Sequence, residues 1–482
     1  MKKNLKYIRS IYALLLVVFA LGGCVKDKST HDLINLNKVE IVDSDTSTRI
    51  ILQFDTLRIE PIIRQSIPTA DSAFNYSWYI RDAAGQKPII VLDSTRSLKK
   101  AIGVPTGSYT VVFEVTEKRT GVMVMKFFPL TVTDRLGTGW LLLEEKDNKG
   151  DISVIIPNGE VFHNVYSDLN RGYDLKLPLR QIEITETYSG KKIEILSEND
   201  AIQLDYQAMI KQAQFNDYFW SAPQIVKPQY IKSLSLSTKI FINNGLLHMY
   251  IEGGFPGDVK YLSELPFIND KGTDYALAPF AIKGPESWDG LTAFSSAYYD
   301  TKAKGFVYVT NATVLPTMAS FNAPAATAAF DMRSIGMDLL NLDRGYTDQY
   351  YNAVFKDNTG NLFIYQINLK VDEPAVGKSA VAEGLKGSTF FVSSQSNQFI
   401  YFFKDNIAYL YDIPQNSYGV AGRITPGETI TKVKILSNQL LVATWDGTQG
   451  HFYIYNINPR GDITLSNKFS DFGKVIDFAY KS

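Results

Sequence analysis

Apolar and polar residues alternate in short runs along most of the chain, and the spacing of those runs divides it in two. Between Asn37 and Asp134 the runs are unevenly spaced. In FDTLRIEPII, Leu57, Ile59 and Pro61 alternate with Thr56, Arg58 and Glu60, the period of a strand with one buried face. NYSWYI follows, then PTGSYTVVFEVTEKRTGVMVMKFFPLTV, two strands around a Lys118-Arg119-Thr120-Gly121 turn. Residues 37–134 therefore predict an immunoglobulin-like β-sandwich.

From residue 135 to 482 one pattern recurs. DISVIIP, KKIEILS, LLHMYIE, GFVYVTN, NLFIYQIN, IAYLYDIP and HFYIYNIN align on Ile155, Leu196, Tyr250, Tyr308, Tyr365, Tyr411 and Tyr455, at intervals of 41, 54, 58, 57, 46 and 44 residues. That is the period of propeller blades. Copies follow a second strand and a tight turn rich in Asn, Asp and Gly, as in YYNAVFKD before Asn358-Thr359-Gly360. They read as inner hairpins of seven blades. The first unit opens at TGWLLLEE with no leading strand, while the chain finishes on the orphan strand GKVIDFAYKS. The last strand is expected to complete the first blade beside Trp140, removing two sheet edges. Two stacked sandwiches are the alternative, favoured by the irregular early intervals.

The N-terminus departs from alternation. Lys2, Lys3, Lys6 and Arg9 precede IYALLLVVFAL, eleven uncharged residues from Ile11 to Leu21, the pattern of a secretory leader over residues 1–23. Leu21-Gly22-Gly23-Cys24 resembles the lipobox of bacterial lipoproteins, which implies cleavage before Cys24 and lipid on its sulfur. Residues 24–36 would then be a tether, and Val25-Lys26-Asp27-Lys28 resembles stretches that follow the cysteine in surface-exported lipoproteins.

Composition narrows the partners. Removing the leader takes four of the 49 basic residues and leaves 45 against 50 acids, so nucleic acid is not an expected partner. Cys24 is the only cysteine, so disulfides contribute nothing and core burial must hold the fold. Candidate chemistry is sparse. His31, His163, His248 and His451 form no metal-binding spacing, and neither a GxSxG motif nor a phosphate loop occurs. The turn EEKDNKGD lacks the spacing and final glutamate of a calcium loop. No metal, cofactor or catalytic residue is expected, although distant carboxylates can meet on a propeller.

The long connections hold the candidate binding residues. NDAIQLDYQAMIKQAQ places Ile202, Tyr206, Met209, Ile210 and Ala213 on one helical face, with Asp200 and Gln203 as a capping pair, and predicts a short rim helix. Tyr218, Phe219 and Trp220 follow it, Trp288 lies in a shorter loop, and a long loop from Leu315 ends at Tyr346. Exposed rings there would offer flat faces to sugars or apolar side chains. Equally, they can seal the loops onto the blades.

Trp78 and GSYTVVFEV resemble the PKD-type sandwich, although Asp82-Ala83-Ala84-Gly85 stands where that family has an acidic-glycine turn. Lipidated cysteine, tether, sandwich and propeller together resemble the PKD-like lipoproteins found with SusC/SusD-type outer-membrane uptake systems. The resemblance implies an outer-membrane protein anchored by lipid and facing the exterior. Its partners would be a SusC-like TonB-dependent transporter, a SusD-like lipoprotein, and an oligosaccharide or peptide ligand. A non-catalytic binding role is expected, with a propeller hydrolase or lyase, or a purely structural subunit, as the rivals.

Overall fold

The computed structural model describes residues 36–42, 47–82, 90–253, 259–267, 272–285, 294–310, 316–347, 350–425 and 427–482. Cys24, the tether up to residue 35 and Trp288 lie outside the described residues.

Alternation in the first region produces the sandwich core. Leu57 and Ile59 of strand Thr56–Ile59 are buried while Thr56 and Arg58 face out. That strand pairs with Leu98–Ala101, and Val39–Val42 pairs with Ile62–Gln65. Opposite them lies a five-stranded sheet in the order Arg49–Leu52, Met123–Thr133, Gly107–Glu117, Phe74–Asp82, Ile90–Asp93. Trp78 is fully buried at its centre, stacked on Phe113 with ring centroids 4.1 Å apart. Its indole N–H donates to the Thr95 carbonyl at 2.8 Å, so the one polar atom of the ring is satisfied. Phe54 leaves the sandwich to pack on Phe162 of the propeller at 5.5 Å. Arg135, at the junction, bridges Asp55 of the sandwich to Glu160 of the propeller.

Among the described residues the second region forms seven sheets around a common axis. Six have strands consecutive in sequence. The remaining sheet joins Gly139–Lys146, Lys149–Ile155 and Val161–Phe162 to the C-terminal strand Lys474–Lys481. In register, Trp140 faces Tyr480 and Leu141 faces Ala479, antiparallel. This is a seven-bladed β-propeller closed by its last strand, as the orphan strand predicted. Outside the second blade the repeated hairpins occupy the second and third strands, and from the third blade onward the innermost strand directly precedes them.

One expectation fails. The segment read as a rim helix is two strands, Ala201–Asp205 and Lys211–Gln214, completing the second blade. Ala201, Ile202 and Leu204 are buried, and the strand pairs with Gly190–Ser197. Met209, at φ 56°, and the Asp205 carboxylate, which accepts the Gln207 and Ala208 N–H groups, make the intervening turn. Helical spacing was coincidental, because only the sheet gives these side chains a core to enter and the backbone a ladder. KKIEILS is therefore the second strand of its blade. Measured to Leu204 in the third strand, the two early intervals become 49 and 46 residues, closer to each other than 41 and 54. The stretch read as one loop from Leu315 to Tyr346 likewise contains strands Met318–Ser320 and Asp338–Arg344.

Candidate ligand cleft at the closure seam

Closure brings residues from both ends of the propeller into one cluster. Leu142 and Ile155 of the first blade pack with Leu441 and Phe452 of the seventh and with Val475 and Phe478 of the closing strand. Gly139 makes the close approach possible, since a Cβ there would lie 2.3 Å from the Ile155 carbonyl oxygen. Beside this core opens a cleft of about 450 Å³, within the size range of small-molecule sites.

Aromatic rings form part of its lining: Trp140, Phe469 and Tyr480. Trp140 is held from behind by Phe452 at 5.7 Å and packs on Tyr480, its cross-strand partner, at 4.7 Å. The turn Pro157-Asn158-Gly159 forms another wall, and its Gly159 at φ 87° adopts the left-handed conformation that lets the hairpin close. Ser437, Gln439 and Asn467 enter from the seventh blade. Among the described residues no Asp, Glu, His, Lys, Arg or Cys lines the cleft. It can hold a molecule by ring faces and neutral hydrogen bonds, and it offers no carboxylate, imidazole or amine for proton transfer.

Of the residues expected to bind from the loops, Tyr218 and Phe219 are enclosed. Tyr218 and Phe219 are 5% and 2% exposed, so neither reaches a ligand. The Tyr218 hydroxyl donates to Glu194 at 2.7 Å, and Phe219 meets Phe241 edge-on at 5.5 Å. They seal the loop onto the second and third blades, because a ring gains more from a core than from water. Trp220 projects into solvent at 65% exposure. Tyr346 is half-buried against Tyr350, with ring centroids 5.3 Å apart. The cleft's own residues escaped the sequence reading because Trp140 and Asn467 are far apart in the chain. The available signal was the closing strand itself, which had to lay Tyr480 beside Trp140.

Ionisable groups gather elsewhere, and they are enclosed. Ser153 donates to Glu144 at 2.5 Å and lies 3.0 Å from His163 Nδ1, a Ser-His-Glu constellation in outline. Ser153 is fully buried, however, so no substrate carbonyl can approach it. Burial pushes the Glu144 carboxyl up and the His163 imidazole down. In the seventh blade His451, 5% exposed at its side chain, lies 3.2 Å from Asp446 and 3.0 Å from Ser470, while Tyr453 donates to Glu428 at 2.8 Å. Glu194, fully buried, accepts from Tyr218, Thr185 and Gln203 and lies 3.4 Å from Lys239 Nζ. These clusters tie strands and neighbouring blades together. Among the described residues no group of three His, Cys, Asp or Glu is placed to hold a metal.

Comparison with known proteins agrees with this architecture. The model of the PKD-like family matches residues 24–176, the sandwich together with the opening strands of the propeller. A quinonprotein alcohol dehydrogenase-like protein from Bacteroides thetaiotaomicron is 12% identical. The match covers 92% of this chain and 99% of that one at a TM-score of 0.56. Apo AztD from Citrobacter koseri is also 12% identical, with 72% and 99% of the two chains covered and a TM-score of 0.42. At 12% identity the likeness to the first of these is one of fold alone. No curated protein matches the chain.

Proposed function

We propose that this protein is a lipid-anchored, non-catalytic capture component of a surface uptake complex. It would hold an oligosaccharide or peptide beside a SusC-like TonB-dependent transporter and a SusD-like lipoprotein, at the exterior of the outer membrane. The observation that carries this reading is the seam cleft, of ligand size and aromatic yet lined, among the described residues, by no carboxylate, imidazole, amine or thiol. Capture needs nothing more. A tethered site raises the local concentration of its ligand at the transporter through proximity alone. The anchor rests on the leader pattern and Cys24.

Two measurements test this. Cys24→Ser is expected to move the protein from the membrane pellet to the soluble fraction, because the proposed anchor is the lipid on that sulfur and, among the described residues, no helix is long and apolar enough to cross a membrane. Retention in the pellet would remove the lipid from the proposal. Incubating the protein with glycan and peptide panels should give saturable binding with every probe recovered intact. Any product would identify an enzyme.

A further inference from the structure

The cleft's polar groups narrow the ligand further, on the reading that it is a capture site. Each amide that lines it is anchored at one end. Asn158 accepts the Glu160 N–H through Oδ1 at 3.0 Å, Asn467 accepts the Ser466 hydroxyl through Oδ1 at 2.8 Å, and Gln439 donates through Nε2 to Asn456 at 3.0 Å. Their other ends, Asn158 Nδ2, Asn467 Nδ2 and Gln439 Oε1, have no partner among the described residues, and neither has the Ser437 hydroxyl. The cleft thus presents two amide donors and an amide acceptor, each anchored at its other end, and a free hydroxyl, all neutral, around the rings of Trp140, Phe469 and Tyr480.

This combination discriminates between ligand classes. A charged ligand, such as an acidic sugar, a phosphate or a peptide with its ends and ionised side chains, would lose hydration and meet no counter-charge. A lipid chain would leave the amides desolvated without partners. A neutral pyranose has an apolar C–H face that suits an aromatic ring and equatorial hydroxyls that both donate and accept at its rim. We propose that the seam cleft binds a neutral oligosaccharide, one pyranose lying against Trp140 and Tyr480 while its hydroxyls and those of the next unit bond Asn158, Gln439 and Asn467. The ligand then spans the first and seventh blades.

The test is calorimetric titration of the detergent-extracted full chain with cellohexaose, maltohexaose, mannohexaose and xylohexaose. Oligogalacturonate and tetra-alanine serve as the acidic and peptide comparators. At least one neutral hexaose should bind saturably and raise the melting temperature, and Trp140→Ala should weaken it about tenfold or more, as for loss of a stacking ring. Because Trp140 also packs in the seam, a second variant is needed. Asn158→Ala with Asn467→Ala alters two exposed side chains and should weaken binding about three- to tenfold per lost bond at unchanged melting temperature. Trp220→Ala should leave affinity unchanged. Preference for oligogalacturonate or tetra-alanine, or neutral-sugar binding that survives both cleft variants, overturns the ligand assignment and leaves capture standing. Cleavage of any probe overturns capture itself, and silence across the panel overturns both.

Discussion

Deleting residues 474–482 is expected to leave a chain that no longer folds to a soluble monomer. The strand Lys474–Lys481 supplies the innermost ladder of the first blade. It inserts Val475 and Phe478, 0% and 1% exposed, into the core shared with the seventh blade. Each such side chain contributes roughly 1.5–3 kcal/mol on burial. The strand also carries Lys481, whose buried ammonium donates to the carbonyls of Leu136 at 2.7 Å and Gln207 at 3.3 Å. Together these losses approach the about 5–15 kcal/mol that holds a typical domain folded. The deletion would further expose the edge of Gly139–Lys146, with Leu141, Leu142 and Leu143 now uncovered, and an apolar free edge recruits other chains. Size-exclusion chromatography and thermal melting monitored by circular dichroism would read the outcome. A monomeric deletion variant melting near the intact protein would show that the ring does not depend on its seam.

Asp477→Ala should give a large loss of stability from a single polar side chain in that strand. The carboxylate is fully buried. One oxygen accepts the Ile182 N–H at 3.1 Å, and the other meets Lys434 at 2.8 Å and Lys432 at 3.3 Å. Three inner strands, from the first, second and seventh blades, therefore converge on one group. The lysine side chains are about a third exposed and can turn to water, whereas the buried Ile182 N–H is left without its acceptor. That asymmetry places the cost at about 2–4 kcal/mol, below the full value for breaking an enclosed pair. Burial alone would push the Asp477 carboxyl up, but Lys432, Lys434 and the Ile182 N–H outweigh it and hold the group below the usual carboxylate range. A depressed folded value means the stabilisation is present above the unfolded value, about pH 4, and is lost as pH falls below it through the folded value. Urea unfolding should show a gap between the native protein and Asp477→Asn that is wide at pH 7 and narrower at pH 3. A gap that stays constant would show that the charge on Asp477 contributes nothing.

Local pattern carried the architecture further than the site. Seven hairpins, the Lys118–Gly121 turn and the orphan last strand were readable because strand alternation and turn residues act over a few neighbours. Where a segment fitted two periods, as from Ala201 to Gln214, the decision lay with the adjacent strand Gly190–Ser197 and a core the local sequence does not contain. Two of the aromatic candidates are buried for a similar reason. Tyr218, Phe219 and Trp220 are consecutive and alike in composition, yet Glu194 and Phe241 draw the first two inward while the third stays in solvent.

By itself the sequence determined an N-terminal sandwich built around Trp78 and a repeat that its final strand must complete. Each follows from hydrophobic spacing and turn chemistry within a few tens of residues, or from a strand left without a partner. Only the tertiary structure decided which rings face water and that Trp140, Asn158, Asn467 and Tyr480 share one cleft. Those facts depend on how the first and last blades meet, and a contact between the two ends of a ring leaves no periodic trace along the chain that makes it.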